Sequence, residues 1–259
     1  MSEDLDFSNF ITRIKRKTDI DLSQYKEAQM KRRLTTLRLK NGFTTFEQYG
    51  QAMEQNRALL FEFLDRMTIN VSEFWRNPAR WEVLQKRYLP ELMASSPRLK
   101  VWSAACSTGE EPYTLAMILT EIGAIGKTSL LATDLDHNVL EKAKEGIYLE
   151  RSLRDVPPAC RSKYFAPVDG AFQVTDSLKK GISFKQGNLL HDTFESGFDL
   201  IVCRNVMIYF TEEAKHGLYH KFAAALKPGG LLFVGSTEQI FSPSQYGFET
   251  ADTFFYRRV

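Results

Sequence analysis

The stretch Val101–Tyr113, reading VWSAACSTGEEPY, constrains the fold of this chain more than any other. A short apolar run (Leu99, Val101, Trp102) leads into small residues, a lone Gly109, two acids and Pro112; Leu115, Ala116 and Ile118 follow at helical spacing. That order predicts a buried strand, a tight turn and an amphipathic helix, the first unit of a doubly wound sheet. In dinucleotide enzymes the turn is glycine-rich so that backbone N–H groups and the helix N-terminus can hold a pyrophosphate. Here Glu110 and Glu111 stand where that phosphate would lie. Carboxylates repel a phosphate and attract a cation such as an amino group or a sulfonium, and S-adenosyl-L-methionine carries both. An ordinary strand–turn–helix with capping acids would read the same way, since acids also favour a helix N-terminus on dipole grounds.

The next unit favours the ligand-binding alternative. Ser129–Thr133 is a second apolar run ending on Asp134, and Val139, Leu140, Ala143 and Ile147 recur with helical period. An acid at the tip of the second strand, roughly twenty to twenty-five residues beyond the glycine turn, is placed to take both ribose hydroxyls. Asp136 reads instead as the N-cap of the following helix. In all, strands are expected near 99–105, 129–134, 182–187, 198–203 and 230–235, with a last edge strand in Phe248–Val259. Between about 148 and 181 the alternation breaks into short β pieces with turn signals, predicting a small antiparallel insertion. The expected architecture is α/β. A small all-helical module occupies residues 1–75 and a helical linker residues 76–98. A Rossmann-like domain follows over 99–259, its doubly wound, mostly parallel sheet carrying an antiparallel edge strand.

Composition fits a soluble globular enzyme: 43% hydrophobic and 25% charged residues over a length of 259. No apolar run approaches membrane-spanning length and the first twenty residues are too charged for a signal peptide, so a cytoplasmic protein is expected. Cys106, Cys160 and Cys203 are odd in number, lack metal spacing and suit a reducing compartment. His216 and His220 lie four apart without a third ligand, and no metal is expected. The chain has no G-x-S-x-G elbow and no phosphate-binding loop.

The net charge of +2 hides a basic segment between Arg13 and Lys40. Met30, Leu34 and Leu37 form an apolar helical stripe flanked by Lys31 and Arg38 on one side and Lys26, Arg33 and Lys40 on the other, with Arg32 opposite. Gly42 is a plausible stop. Such a helix is either a solvated basic face or a docking surface for an acidic partner, protein or nucleic acid. Nearer the sheet, Asn188 ends the third strand with an amide that can both donate to and accept from adenine, and Leu189 can cover the base. The buried strand Phe198–Cys203 is followed by Arg204, Asn205 and Tyr209, at the carboxyl end where ligands bind in such sheets.

Several long motifs in order, TINVSEFWRNPARW (68–81), VWSAACSTGEEPYTLAM (101–117), ATDLDHNVLEKAKEGIY (132–148), GNLL and FDLIVCRNVMIYF, resemble the chemotaxis receptor glutamate O-methyltransferases of the CheR type over nearly the whole chain. The resemblance implies transfer of a methyl group from S-adenosyl-L-methionine to glutamate side chains on the cytoplasmic helices of chemoreceptors, leaving methyl esters and S-adenosyl-L-homocysteine. It places cofactor binding on Asn70, Ser72, Arg76, Glu111, Asp134, Asn188, Leu189, Arg204 and Asn205, with Arg76 and Tyr209 at the reacting end. Ser72 stands where relatives often carry Thr, keeping the hydroxyl. Lys31, Arg32, Arg33, Arg38 and Lys40 become the expected receptor-docking residues; no nucleic acid, no membrane insertion and a monomer are expected. The hairpin loop around 167–172 is shorter than in members that dock a receptor tail. The rival readings are another methyltransferase of this fold, acting on RNA or a small molecule, and an inactive receptor-binding adaptor.

Overall fold

The computed structural model describes residues 3–67 and 72–259. The chain forms two compact units, one of residues 1–69 with 206–218, the other of residues 70–205 with 219–259. Asn70, expected in the cofactor site, lies outside the described residues.

The smaller unit is helical: α1 (Glu3–Thr18), α2 (Glu27–Lys40), α3 (Phe46–Gln55) and α4 (Arg57–Met67). Acids open α1 and bases close it (Glu3, Asp4, Asp6; Lys15, Arg16, Lys17), the arrangement that complements the helix dipole. Phe7, Phe10 and Ile14 of α1 are buried, as are Met30, Leu34, Phe46, Tyr49 and Phe63 of the other helices, with the Phe10 ring 5.0 Å from Phe46 and edge-on to Phe63 at 5.8 Å. The expected stop of α2 is present, since Gly42 adopts φ +81°, a conformation that costs glycine nothing.

One docking residue departs from expectation. Arg38 is 7% exposed, its guanidinium 3.8 Å from the Asp6 carboxylate and 4.4 Å over the Phe46 ring. It falls four residues after Leu34 and so points along the buried stripe, where Asp6 supplies the opposite charge. Asp6 also accepts hydrogen bonds from the backbone N–H groups of Phe46 (2.7 Å) and Glu47 (2.9 Å), capping α3. Arg38 therefore adds no surface charge. Lys31 and Lys40 pair across helices with Asp4 (2.6 Å) and Glu62 (3.1 Å), Arg33 is partly buried and donates to the Met67 carbonyl, and Arg32 is exposed.

Residues 206–218, expected within the α/β domain, belong to the helical unit. The Lys26 N–H donates to the Tyr209 carbonyl and the Thr211 N–H to the Gln24 carbonyl, both at 2.9 Å, while the Tyr25 and Phe210 rings meet edge-on at 5.2 Å. Arg33 lies 5.9 Å over the Tyr209 ring.

The larger unit begins with α5 (Pro78–Val83) and α6 (Leu89–Ser95), made continuous by a π-helical turn over Leu84–Tyr88. Expected as a linker, this helix instead contributes Trp81, Leu84, Tyr88 and Leu89 to the main core. Then follow β1 (Leu99–Ala104), α7 (Glu110–Glu121), β2 (Thr128–Asp134), α8 (His137–Glu145), β3 (Ile147–Tyr148), α9 (Pro158–Tyr164), β4 (Phe165–Val168), β5 (Ala171–Val174), α10 (Asp176–Lys179) and β6 (Ile182–Gln186). The chain closes with β7 (Phe198–Cys203), α11 (Glu212–Ala225), β8 (Leu226–Val234), β9 (Phe248–Asp252) and β10 (Phe255–Arg258). The main sheet runs β6-β2-β1-β7-β8-β10-β9, parallel from β6 through β8, so the strand order reverses between β1 and β7. All six residues of β7 are buried, as a strand covered on both faces requires. The C-terminal stretch expected as one edge strand is a hairpin, with β10 antiparallel to both β8 and β9. The insertion is the three-stranded sheet β3-β5-β4, whose β4–β5 connection is the two-residue turn Asp169-Gly170 (φ +44°, +77°).

Asp6→Ala would leave the Phe46 and Glu47 N–H groups at the start of α3, and the buried Arg38 guanidinium, without their partner. A loss of about 3 kcal/mol is expected, read as a shift of the urea midpoint of the whole chain; a loss under about 1 kcal/mol would make the pair dispensable.

Candidate functional site

The end of β1 and the start of α7 are joined by a turn in which Ala105 (φ +65°), Ser107 (φ +48°) and Gly109 (φ +99°) all lie in left-handed conformations. The Cys106 N–H donates to the Thr133 carbonyl at 2.9 Å, tying the turn to β2. Gly109 is required twice over. Its φ disfavours any side chain, and a Cβ there would stand 2.9 Å from the Tyr148 hydroxyl and 3.1 Å from the Tyr113 ring. That hydroxyl, from the inserted sheet, donates to the Thr108 carbonyl at 2.6 Å.

The two acids of the turn face different partners. Glu110 accepts from the Thr108 hydroxyl at 2.7 Å and from Ser72, and burial raises its carboxyl above the usual range. Glu111 accepts from the Ser103 hydroxyl at 2.8 Å. Burial, opposed by Arg204, Ser103 and Arg76 and assisted by Glu238, pushes it up to about 7. Asp134, 7% exposed at the tip of β2, accepts from the Ser107 N–H at 2.8 Å and the Asp136 N–H at 3.0 Å. Burial outweighs these bonds and pushes it up to about 6. Each of its oxygens still has acceptor capacity beyond one N–H. Asp136 caps α8 as expected, accepting from the Asn138 N–H at 2.8 Å.

Arg204 leaves β7 into a buried slot. Its Nη2 donates to the Arg76 carbonyl (2.7 Å) and to Asn77 Oδ1 (3.0 Å), and its guanidinium lies over Trp81 and Phe233 at 5.1 and 4.8 Å. Its Nε, like the Ser107 hydroxyl, is buried with no hydrogen-bond partner among the described residues. Arg76 presents a partly exposed side chain 3.9 Å from Glu73. Asn205 follows with φ +62°, its N–H donating to Glu238 at 2.6 Å.

Asn188 is more constrained than its sequence position suggested. Its Oδ1 accepts from the Leu190 N–H at 3.0 Å and its N–H donates to Asp192 at 2.7 Å, so the amide oxygen expected to face a base shapes its own loop. Leu189 is buried, and both residues border a cavity of ≈ 140 Å³ floored by Trp102, Phe194 and Phe198. Ser72, Arg76, Glu111, Asp134, Asn188, Leu189, Arg204 and Asn205 all belong to the larger unit, whereas Tyr209 belongs to the helical one. Glu238, buried beside Asn205, was missed by sequence reasoning. Its signal was available, an acid just past the carboxyl end of a central parallel strand.

Comparison with known proteins matches residues 5–68 to the all-alpha domain of the CheR methyltransferases and residues 70–255 to their SAM-binding domain. The chain is 44% identical to the chemotaxis protein methyltransferase of Listeria monocytogenes, over 97% of this chain and 96% of that protein. It is 37% identical to that of Borreliella burgdorferi, over 85% and 83%.

The raised carboxyls of Glu110, Glu111 and Asp134 set a pH dependence. Folded Glu111 and Asp134 hold protons up to about pH 7 and 6, against ordinary values of 4.5 and 3.8. Between roughly pH 4 and 7 the folded chain thus binds more protons than the unfolded one, and stability falls as pH rises through that window. The melting temperature of the cofactor-free protein should fall across it by about 2–4 °C for each kcal/mol lost, and Glu111→Gln should flatten the fall. A melting temperature that climbs from pH 5 to 7 in the wild type and is unaltered by the substitution would contradict the assignment.

Proposed function

Because the chain belongs to the CheR methyltransferase family, we propose that it transfers the methyl group of S-adenosyl-L-methionine to glutamate side chains of chemoreceptor cytoplasmic helices. The observation that carries this reading is the donor and acceptor set at the carboxyl ends of β1, β2 and β7. Glu111, half-buried, and Asp134, buried, are acceptors with raised pKa values, while Arg204 Nε and the Ser107 hydroxyl are buried donors without partners among the described residues. Such a set fits a ligand that is cationic at one end, rich in hydroxyls in the middle and anionic at its carboxylate. Asp134 would take the ribose hydroxyls, Glu111 the cationic end, Asn188 and Leu189 the adenine, and Arg204, Asn205, Ser72, Asn70 and Arg76 the rest. S-adenosyl-L-methionine, when bound, supplies a methyl group already activated by the sulfonium charge.

The chain's own task is then alignment and exclusion of water. A glutamate carboxylate, with an ordinary pKa of about 4.3, is an anion at neutral pH and needs no base. Arg76 can hold a carboxylate through two parallel hydrogen bonds, and Tyr209 would position the substrate. Methyl transfer forms the ester C–O bond, breaks the methyl–sulfur bond and leaves S-adenosyl-L-homocysteine, with no proton to place. The reading puts the protein in the cytoplasm, beside receptor signalling helices, with no metal. Among the described residues no helix is long and apolar enough to cross a membrane.

The test is incubation with methyl-labelled cofactor and a purified receptor cytoplasmic fragment. Base-labile label on receptor glutamates is expected; label on RNA instead, or none with the cofactor bound, would overturn the reading. Asp134→Ala should weaken S-adenosyl-L-homocysteine binding by about 1.5–3 kcal/mol, the scale of charge-assisted hydrogen bonds. Unchanged affinity in a folded variant would remove its ribose role.

A second prediction concerns docking. With Arg38 buried, the exposed positive charges of α2 are those of Arg32 and Lys40, beside partly exposed Lys31 and Arg33. Reversal of Arg32 and Lys40 to Glu should slow receptor methylation and leave S-adenosyl-L-homocysteine affinity unchanged. Added salt should slow the wild type, because steering between exposed charges is screened over about 10 Å at 0.1 M ionic strength. An unaltered methylation rate would make this face merely solvated.

A further inference from the structure

The last rung shared by β7 and β8 is Cys203 opposite Val234. Beyond it the two strands diverge, and a carboxylate bridges them. Glu238 Oε2 accepts from the Asn205 N–H at 2.6 Å and from the Gly235 N–H at 2.8 Å. Glu238 is 5% exposed, so these bonds are made out of water, where an acceptor shared by two N–H groups is strong. Asn205 needs such a hold. Its φ of +62° lies in the left-handed region that residues with side chains rarely occupy. Gly235 completes the packing, since a Cβ there would press on Glu238 and lie 2.9 Å from Asn205 N.

We propose that Glu238 is a positioning residue. Its carboxylate oxygen fixes the Arg204–Asn205 step in the conformation that cofactor binding uses, without itself touching the cofactor. The inference rests on the reading above that Arg204 and Asn205 hold S-adenosyl-L-methionine. It makes Glu238 a requirement for affinity through hydrogen-bond geometry rather than through charge.

Charge and geometry can be separated by the choice of side chain. Gln keeps an oxygen at the right reach and loses the charge; Asp keeps the charge and loses one methylene of reach; Ala loses both. Removing the charge has one further consequence. Glu111 faces Ser103 of β1, Arg76, Arg204 beyond β7 and Glu238 beyond β8, with the Cys106 and Cys203 thiols nearby, and of the charged groups Glu238 alone raises its pKa. Without the Glu238 charge Glu111 ionises at lower pH.

The experiment is calorimetric titration with S-adenosyl-L-homocysteine from pH 5.5 to 8, together with amide hydrogen exchange of the Asn205 N–H in the unliganded protein. The wild type should bind and protect that amide. Glu238→Gln should bind within about fivefold of wild type and shift the acid limb of its affinity profile to lower pH. Glu238→Ala and Glu238→Asp should each lose about tenfold or more, the scale of one or two bonds to a charged acceptor, and expose the Asn205 amide. Should the alanine variant fail to fold, the Gln and Asp variants decide. Wild-type affinity and protection in the Asp variant, or a Gln variant as weak as Asp, overturns the proposal. A wild type that protects the amide and binds no S-adenosyl-L-homocysteine refutes the cofactor reading, and the proposal's role in binding falls with it.

Discussion

Charge held out of water at the carboxyl ends of the central strands is the constraint on which the larger unit depends. Asp134, Arg204 and Glu238 are buried there and Glu111 is half-buried, and a buried charge is tolerated when partners surround it. The fold meets that condition with backbone as much as with side chains. Asp134 takes two N–H groups from its flanking turns, Glu238 takes two from the ends of β7 and β8, and Arg204 donates to the Arg76 carbonyl and to Asn77. The loops are thereby fixed by the charged groups they carry, and burial keeps Glu111 and Asp134 poised near neutrality when nothing is bound. Preorganisation and instability have one source, as expected of a site whose complement is a charged ligand.

The helical unit repeats the device on a smaller scale. Asp6 at once accepts the first two N–H groups of α3 and is counter-ion to Arg38, so an ion pair that would add little at the surface links three helices. The same unit includes the segment around Tyr209, joined to residues 24–26 by backbone hydrogen bonds and an edge-on ring pair. A residue close in sequence to Arg204 and Asn205 thus belongs by packing to the other unit.

Much of this was legible before any coordinates. The unbroken apolar run of Phe198–Cys203 reads as a doubly covered strand, the glycine after small residues as a strand-to-helix turn, and Asp136 as a cap, because each rests on local chemistry. The misses have different causes. Arg38 reads as a surface charge until Asp6, far away in sequence, is brought beside it. The final segment reads as one strand because its reversal at Asp252–Phe254 uses a non-glycine residue at φ +69° instead of a glycine turn. Asn188 also closes its own turn, its oxygen accepting from the Leu190 N–H two residues on, a local bond that Asn commonly makes. Glu238 has a positional signal, an acid just past β8, but its bonds to backbone N–H groups are visible only in the fold.

The contact between Tyr148 and the turn at Gly109 gives the inserted sheet a standing its small size conceals. The tyrosine hydroxyl fills the space that Gly109 leaves and holds the Thr108 carbonyl, and its ring packs edge-on against Phe74 at 4.8 Å. Excising the insertion would remove a wall of the turn as well as a surface ornament. Grafting it onto another chain would succeed only where the recipient's turn has a glycine at the matching place. The insertion and the glycine are therefore heritable as a pair: either can drift in sequence elsewhere, but neither can be exchanged alone.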